Sequence, residues 1–264
     1  MALDQLLTDS EDYSDIAIEY VPSVTRGLAY WGWLGDSATR TKKNQWTGSG
    51  AIADAAITGT PTYGAGYATF KSLTNYLTLP MSDDTDDFTI LCVAATDDDL
   101  AASATQPAYM GNFINPNGGV ILQTAAGTAP NLGSVGIFEA FDNASTPAAT
   151  GPVSSMGSSS TVIQTADPKV YTVFAGVFVN GTGLTIYDLG RNLAATKAQA
   201  VRRLRNPLNN IQVGGGVFAA RQGTSRMAHA AVFRAALTKA ELDQLVANDI
   251  KPYLTYRGLT LATA

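Results

Sequence analysis

Cysteine and histidine are nearly missing from this sequence, with one of each in 264 residues. Cys92 lies inside an apolar run and reads as a small buried hydrophobe, so no disulfide framework is expected. One histidine and one cysteine are too few for a zinc-type nitrogen–sulfur site. Glutamate is confined to Glu11, Glu19, Glu139 and Glu241, and charged residues make up 15% of the chain against 45% hydrophobic. That balance belongs to a folded domain rather than a disordered one. No apolar run approaches the ~20 residues that cross a bilayer, so no membrane partner is expected. The first ten residues, Met1 to Ser10, carry neither a basic region nor a continuous apolar segment, which argues against a secretion signal.

The net charge of −5 is unevenly placed. Residues 1–26 hold six acids, Asp4, Asp9, Glu11, Asp12, Asp15 and Glu19, against Arg26 alone. The remaining sixteen acids and sixteen bases cancel. The chain therefore divides into an acidic N-terminal arm, 1–26, and an electrically balanced body, 27–264. A balanced body lacks the basic face that nucleic acid requires. Leu3, Leu6 and Leu7 are spaced as one amphipathic turn, which makes them candidate partner contacts.

From Gly27 onward, short apolar runs alternate with turn residues, the pattern of a sandwich or jelly roll. Phe88 to Ala95 is apolar at both parities, as in a strand covered on both faces. Val170 to Val179 is the longest strand candidate, and Asn180-Gly181 after it signals a hairpin into Leu184 to Tyr187. Further runs are Ala68–Ser72, Tyr76–Leu79, Gly119–Gln123, Ser134–Phe138, Asn210–Gly216 and Met227–Phe233. Asp142 to Pro168, rich in Ser, Thr, Ala, Gly and Pro, reads as a long exposed loop. Near the end, Thr238 and Glu241 form a capping box, with Leu237 and Leu242 as a hydrophobic staple. They open a helix over 239–250 that Pro252 is expected to stop.

The order of Gly59-Thr-Pro-Thr-Tyr63, Ala68-Thr-Phe70, Tyr76-Leu-Thr-Leu-Pro80 and Asp87-Phe-Thr-Ile90 resembles the first strands of laminin-G-like, concanavalin A-like domains. The later Val179-Asn-Gly stretch, Asn210-Ile-Gln-Val-Gly-Gly and Phe233-Arg-Ala-Ala-Leu-Thr-Lys-Ala-Glu resemble their second half. The resemblance implies an all-β, two-sheet antiparallel jelly-roll sandwich with one short C-terminal helix. It locates no ligand, because such folds serve sugar binding, adhesion, glycan hydrolysis and particle assembly alike.

Chemistry is sparse. Glycan hydrolysis needs two carboxylates converging across a sugar, and the glucanases of this fold carry a Glu-x-Asp-x-x-Glu strand that is missing here. Glu139-Ala-Phe-Asp142 is the nearest approach, yet residues three apart on a strand face opposite ways. His229 stands among small apolar residues and reads as a hydrogen-bonded strand histidine rather than a catalytic base. The acidic runs Asp83–Asp87 and Asp97–Asp99 flank one strand about 30 Å long, so they cannot share a cation. Each reads as solvated turn acids, with separate calcium binding as the alternative. Trp31 and Trp33 share one strand face and read as core, whereas Trp46 lies in a polar loop and is a candidate partner contact. Arg202, Arg203 and Arg205 read as a solvated edge or as a site for an anionic neighbour.

These features lead to a non-enzymatic chain without cofactor or metal. The leading expectation is a bacteriophage virion structural protein, made in the host bacterial cytoplasm and acting as capsid decoration, collar or tail component. It would dock through its arm on other virion proteins, in several copies or as a homo-oligomer. The alternative is a lectin-like module that binds a host cell-surface glycan, with a hydrolase less favoured.

Overall fold

The computed structural model describes residues 20–127, 133–165, 167–216 and 220–263. In chain order the first strands are β1 (Leu28–Trp33), β2 (Ala56–Thr58), β3 (Thr62–Gly64), β4 (Tyr67–Lys71), β5 (Tyr76–Thr78), β6 (Phe88–Ala95) and β7 (Ala108–Gly111). They are followed by β8 (Val120–Ala126), β9 (Gly133–Asp142), β10 (Met156–Thr165), β11 (Thr172–Val179) and β12 (Gly183–Asp188). The last are β13 (Leu193–Ala198), β14 (Gln212–Val213) and β15 (Thr224–Phe233). An eight-stranded sheet runs β13-β12-β11-β6-β15-β4-β3, with β1 paired to the far half of β15. A seven-stranded sheet runs β10-β9-β8-β7-β14-β5-β2. All strand pairs are antiparallel, as the sequence led us to expect.

The inter-sheet core takes one parity of each strand. From β6 it receives Phe88, Ile90, Cys92 and Ala94; facing it are Leu77, Tyr109, Leu122, Val135 and Ile137. The other parity of β6, with Leu91, Val93 and Ala95, enters a second apolar layer on the outside of the eight-stranded sheet. Trp31 and Trp33 of β1 lie in this second layer, fully enclosed. The sheet therefore needs a cover on its outer side, and the chain supplies it from both ends.

The C-terminal cover is a helix of three parts. α2 (Lys239–Leu245) opens at the capping box, with both reciprocal bonds between Thr238 and Glu241 in place. Leu237 and Leu242 are buried in the second layer, as a staple requires. A π turn, Val246–Ile250, follows, and then α3 (Lys251–Tyr256); α1 is the short Ala38–Lys42 helix near the start. Pro252 does not stop the helix. The Lys251 N–H reaches back to the Val246 carbonyl across the wide turn. Proline then enters one residue later, at the start of the second segment, where its missing N–H leaves no hydrogen bond broken.

Residues 20–26, grouped by charge with the acidic arm, supply the N-terminal cover. Tyr20 and Val24 are buried. Tyr20 donates to Asp249 at 2.5 Å, Ser23 also bonds Asp249, and Arg26 grips Glu241 through two bonds of 2.8 and 2.7 Å. Residues 1–19, with Leu3, Leu6 and Leu7, lie outside the described residues.

The expected loop from Asp142 to Pro168 needs correcting. Ten of its residues form β10, paired residue for residue with β9. Its first half, with Gly157 and three serines, has little intrinsic strand preference, and the ladder with β9 supplies what propensity does not. Strands β2, β3, β7 and β13 are likewise too short or too exposed to announce themselves.

Thr238→Ala removes the acceptor for the Glu241 N–H and should cost about 1 kcal/mol. Urea denaturation checks this; an unchanged midpoint would mean that the cap does not hold the helix in place.

Candidate functional site

Of the acids that suggested calcium, Asp83, Asp84, Asp86 and Asp97 pair with arginines, and Asp87, Asp98 and Asp99 accept from backbone N–H groups. Asp83 is fully buried and takes the Arg203 guanidinium at 2.6 Å, Asn112 Nδ2 at 2.9 Å and the Asn206 N–H at 2.8 Å. Arg203 is equally buried, its guanidinium lying 5.7 Å from the centre of the Phe88 ring. Around this pair, Arg202 meets Asp86 at 3.0 Å and Arg234 meets Asp84 at 3.0 Å. Arg205 donates to the Asp84 carbonyl. The expectation of solvated acids and a solvated arginine edge is corrected at Asp83 and Arg203, which are buried as a pair across 120 residues, and holds for Asp84, Asp86, Asp97 and Arg202, which stay largely exposed. The second acidic run is similarly engaged, Asp97 by Arg226 at 2.9 Å and Asp98 by the Thr224 N–H. Among the described residues, no group of three or more acids, histidines or cysteines is placed to hold a metal ion.

Neither candidate for catalysis is arranged for it. Glu139 shares the inward parity of Val135 and Ile137, while Asp142 has the opposite parity and ties down the loop after β9. There Asp142 accepts from Ser155 Oγ and from the N–H groups of Ala144 and Ala148, which together hold its carboxyl below the usual range. Glu139 is enclosed, and burial raises its pKa to about 7 despite the nearby Arg203 charge. His229 is fully enclosed, with ring centres 4.2 Å from Trp31 and 4.5 Å from Trp33. Its Nδ1 lies 2.9 Å from the Gly32 carbonyl, and burial lowers its pKa to about 3. At neutral pH the ring is uncharged and Nδ1–H donates. A base so enclosed cannot reach a substrate.

Trp46, expected to be exposed, is half-buried. Its ring lies against Gly48 and packs on the layer outside the eight-stranded sheet. Its backbone N–H donates to Asn44, which also fastens β1.

The outer face of the seven-stranded sheet is open only in part: Ala56, Ser158, Ser160 and Val162 are exposed and Phe138 is half-buried, whereas Ala108, Ile121 and Gln123 at its centre are buried. Ile57, Leu77, Val213, Met110, Leu122 and Ile137 line up across the strands and point into the core, so their neighbours point out. One outward row crosses all seven strands: Ala56, Thr78, Gln212, Gly111, Ile121, Phe138 and Ser160. The next row holds Ala108, Gln123, Gly136 and Val162. Neither row carries a charge. Phe138 is half-buried and is met by Phe113, with ring centres 6.5 Å apart. Among the described residues, the Oε1 atoms of Gln123 and Gln212 are buried without a hydrogen-bond partner. Gly215 and Gly216 lie against this face: a Cβ on Gly215 would stand 2.9 Å from Tyr76 and 3.3 Å from Gln212 Oε1, and one on Gly216 would stand 3.0 Å from Ile121. A side chain at either position would press on these neighbours. Sequence reasoning missed these residues because the rows exist only across strands; no local spacing announces them.

No protein-family model matches the chain, and no curated protein matches it in sequence. Among solved structures, the receptor-binding domain of botulinum neurotoxin C/D mosaic serotype is similar, with a TM-score of 0.56 at 10% identity over 85% of this chain. The binding domain of Paraclostridial Mosquitocidal Protein 1 is similar at a TM-score of 0.57 and 11% identity over 83% of the chain. The matches cover 52% and 51% of those structures, so the chain spans about half their length. At such identities the likeness is one of fold: a lectin-like jelly-roll sandwich.

The buried Glu139 gives a test of the inward assignment. Its folded pKa lies above the ordinary 4.5, so the folded chain holds this proton more tightly than the unfolded chain. Its contribution should be complete below about pH 4.5 and fade as the pH rises to about 7, a loss on the order of 3 kcal/mol. Glu139→Gln should flatten this part of the pH profile in urea denaturation. An unaltered slope would place the carboxyl in solvent.

Proposed function

We propose that this chain is a non-catalytic, lectin-like binding module that takes a neutral glycan on the outer face of its seven-stranded sheet. The observation that carries this reading is the chemistry of the outward rows. They combine one aromatic ring, Phe138, which would cover the apolar face of a sugar, with hydroxyls and an amide that exchange hydrogen bonds with its hydroxyls. They offer no charge to attract phosphate, sulfate or an acidic protein. Thr78, Ser158 and Ser160, at least partly exposed on this face, supply hydroxyls that would exchange hydrogen bonds with those of a sugar. The similar structures are themselves described as receptor-binding or binding domains, which favours a binding task over a catalytic one. The engagement of His229, Glu139 and Asp142 within the fold points the same way.

This reading places glycan recognition ahead of pure particle assembly. A virion remains the proposed setting, with the segment 1–19 and its Leu3, Leu6 and Leu7 as anchor and the glycan face as the working surface. The half-buried Trp46 is a secondary contact in that assembly.

Binding to an array of neutral polysaccharides, followed by calorimetry on the best ligand, tests the proposal. Phe138→Ala should weaken binding at least about tenfold, the loss of one ring contact of about 1.4 kcal/mol, with the melting curve little changed. A chain that binds no neutral glycan, or a Phe138→Ala variant that binds as tightly as the parent, would refute it.

A further inference from the structure

The end of β9 buries more negative charge than it pairs. Glu139 points into the space between the sheets, with Val120 of β8 opposite it on one side and Ser159 of β10 on the other. Glu139 and Ser159 are both enclosed, and among the described residues Glu139 Oε2 and Ser159 Oγ have no hydrogen-bond partner. The cation near Glu139 is Arg203, whose backbone follows β9 through a bridge to Phe141 and a bond from the Leu204 N–H to the Ala140 carbonyl. Arg203 points its donors elsewhere. Its Nη1 meets Asp83 at 2.6 Å, its Nε the Asp86 carbonyl at 3.2 Å, and its Nη2 the Thr85 carbonyl. It thereby pins the 83–87 loop to the segment 202–206. Two enclosed carboxyls thus face one enclosed guanidinium. The other charges around Glu139 are paired or lie outside. β12 presents Leu184 and Ile186 to this space, and its Asp188 is held by Arg191 at 2.8 Å. Lys197 of β13 is exposed at the margin, and Arg202 and Arg205 turn to Asp86 and the Asp84 carbonyl.

We propose that Glu139 and Asp83 compete for Arg203, so that proton loss from Glu139 draws the guanidinium off the 83–87 loop and releases that loop from the segment 202–206. With its proton, Glu139 is neutral and Arg203 balances Asp83 alone. Without it, the enclosed cluster holds two negative charges against one positive, and an unpaired buried carboxylate is costly. A guanidinium has donors enough to serve a second carboxylate. The least costly rearrangement turns Nε and Nη2 toward Glu139 and leaves the carbonyls of Thr85 and Asp86, on a partly exposed loop, to water. The proton sits on Glu139 rather than Asp83 because Asp83 has the fuller set of donors. Burial raises both pKa values, but Arg203, Asn112 and Asn206 oppose it at Asp83, whereas Arg203 alone opposes it at Glu139, which reaches about 7. His229, the one histidine, stays uncharged over this range because burial lowers its pKa to about 3. The loop is therefore held in mildly acid solution and freed above neutrality.

Nuclear magnetic resonance of the full chain, titrated from about pH 5 to about pH 8.5, tests this. The Arg203 Nε–H should be protected from exchange with water at the acid end. At the alkaline end it should exchange at least about tenfold faster in the parent than in Glu139→Gln, which has no proton to lose. The amides of Thr85, Asp86 and Asn206 should shift in the parent with one midpoint near 7, the Glu139 value, and should stay in place in Glu139→Gln. Asp83→Asn leaves Glu139 as the sole carboxyl competing for Arg203. That change should lower the midpoint of the Glu139 carboxyl carbon by at least about one pH unit. An Nε–H that exchanges equally in parent and Glu139→Gln, loop amides that ignore the Glu139 titration, or an unmoved Glu139 midpoint in Asp83→Asn would each overturn the proposal.

Discussion

The eight-stranded sheet is apolar on both faces, and that constraint organises the rest of the molecule. One face meets the second sheet; the other would leave Trp31, Trp33, Leu91, Val93 and Phe233 in water unless something covered it. A stack of rings fastens the cover. Tyr20 lies on Trp31 at 5.7 Å, His229 stands against both tryptophans, and Tyr253 stacks on Trp33 at 3.9 Å. Segment 20–26 and the C-terminal helix are thereby fixed to the same strand, though they are more than 200 residues apart in the chain. Arg26 on Glu241 and Tyr20 on Asp249 join the two covers directly. The lone histidine serves this stack as a neutral ring, and its depressed pKa keeps a charge out of the layer.

Committing that sheet to burial on both sides leaves the outer face of the seven-stranded sheet as the partly open one, exposed at Ala56, Ser158, Ser160 and Val162. Its charges have been drawn elsewhere. Asp83, Asp84 and Asp86 with Arg202, Arg203 and Arg234 form a neutralised cluster at the ends of the strands, and Glu139 turns inward toward Arg203. What remains across the strands is aromatic, amide and hydroxyl. The same absence of charge runs to the margin at β10.

Much of the architecture was legible in the sequence. Phe88 to Ala95 is apolar at both parities and is indeed covered twice; Asn180-Gly181 turns the β11–β12 hairpin; Thr238 and Glu241 cap the helix. Each rests on residues close in sequence, where local chemistry decides. The failures have the opposite character. β10 owes its existence to β9, and the Asp83–Arg203 bond joins runs that look like separate solvated patches. Pro252 was read by its own habit, without the π turn that admits it. The candidate face was invisible for the same reason: Phe138, Gln123 and Gln212 come together only through register across strands, and no spacing along the chain encodes it.

The central claim is that ligand binding belongs to the seven-stranded sheet while the eight-stranded sheet is closed on both sides. Amide chemical-shift mapping during titration with a neutral oligosaccharide tests it most directly. The account predicts shifts confined to β5, β8, β9, β10 and β14 around Phe138 and Gln212, with Trp31, Trp33, His229 and the C-terminal helix unmoved. Shifts centred on the helix layer or on the Trp46 loop would contradict it.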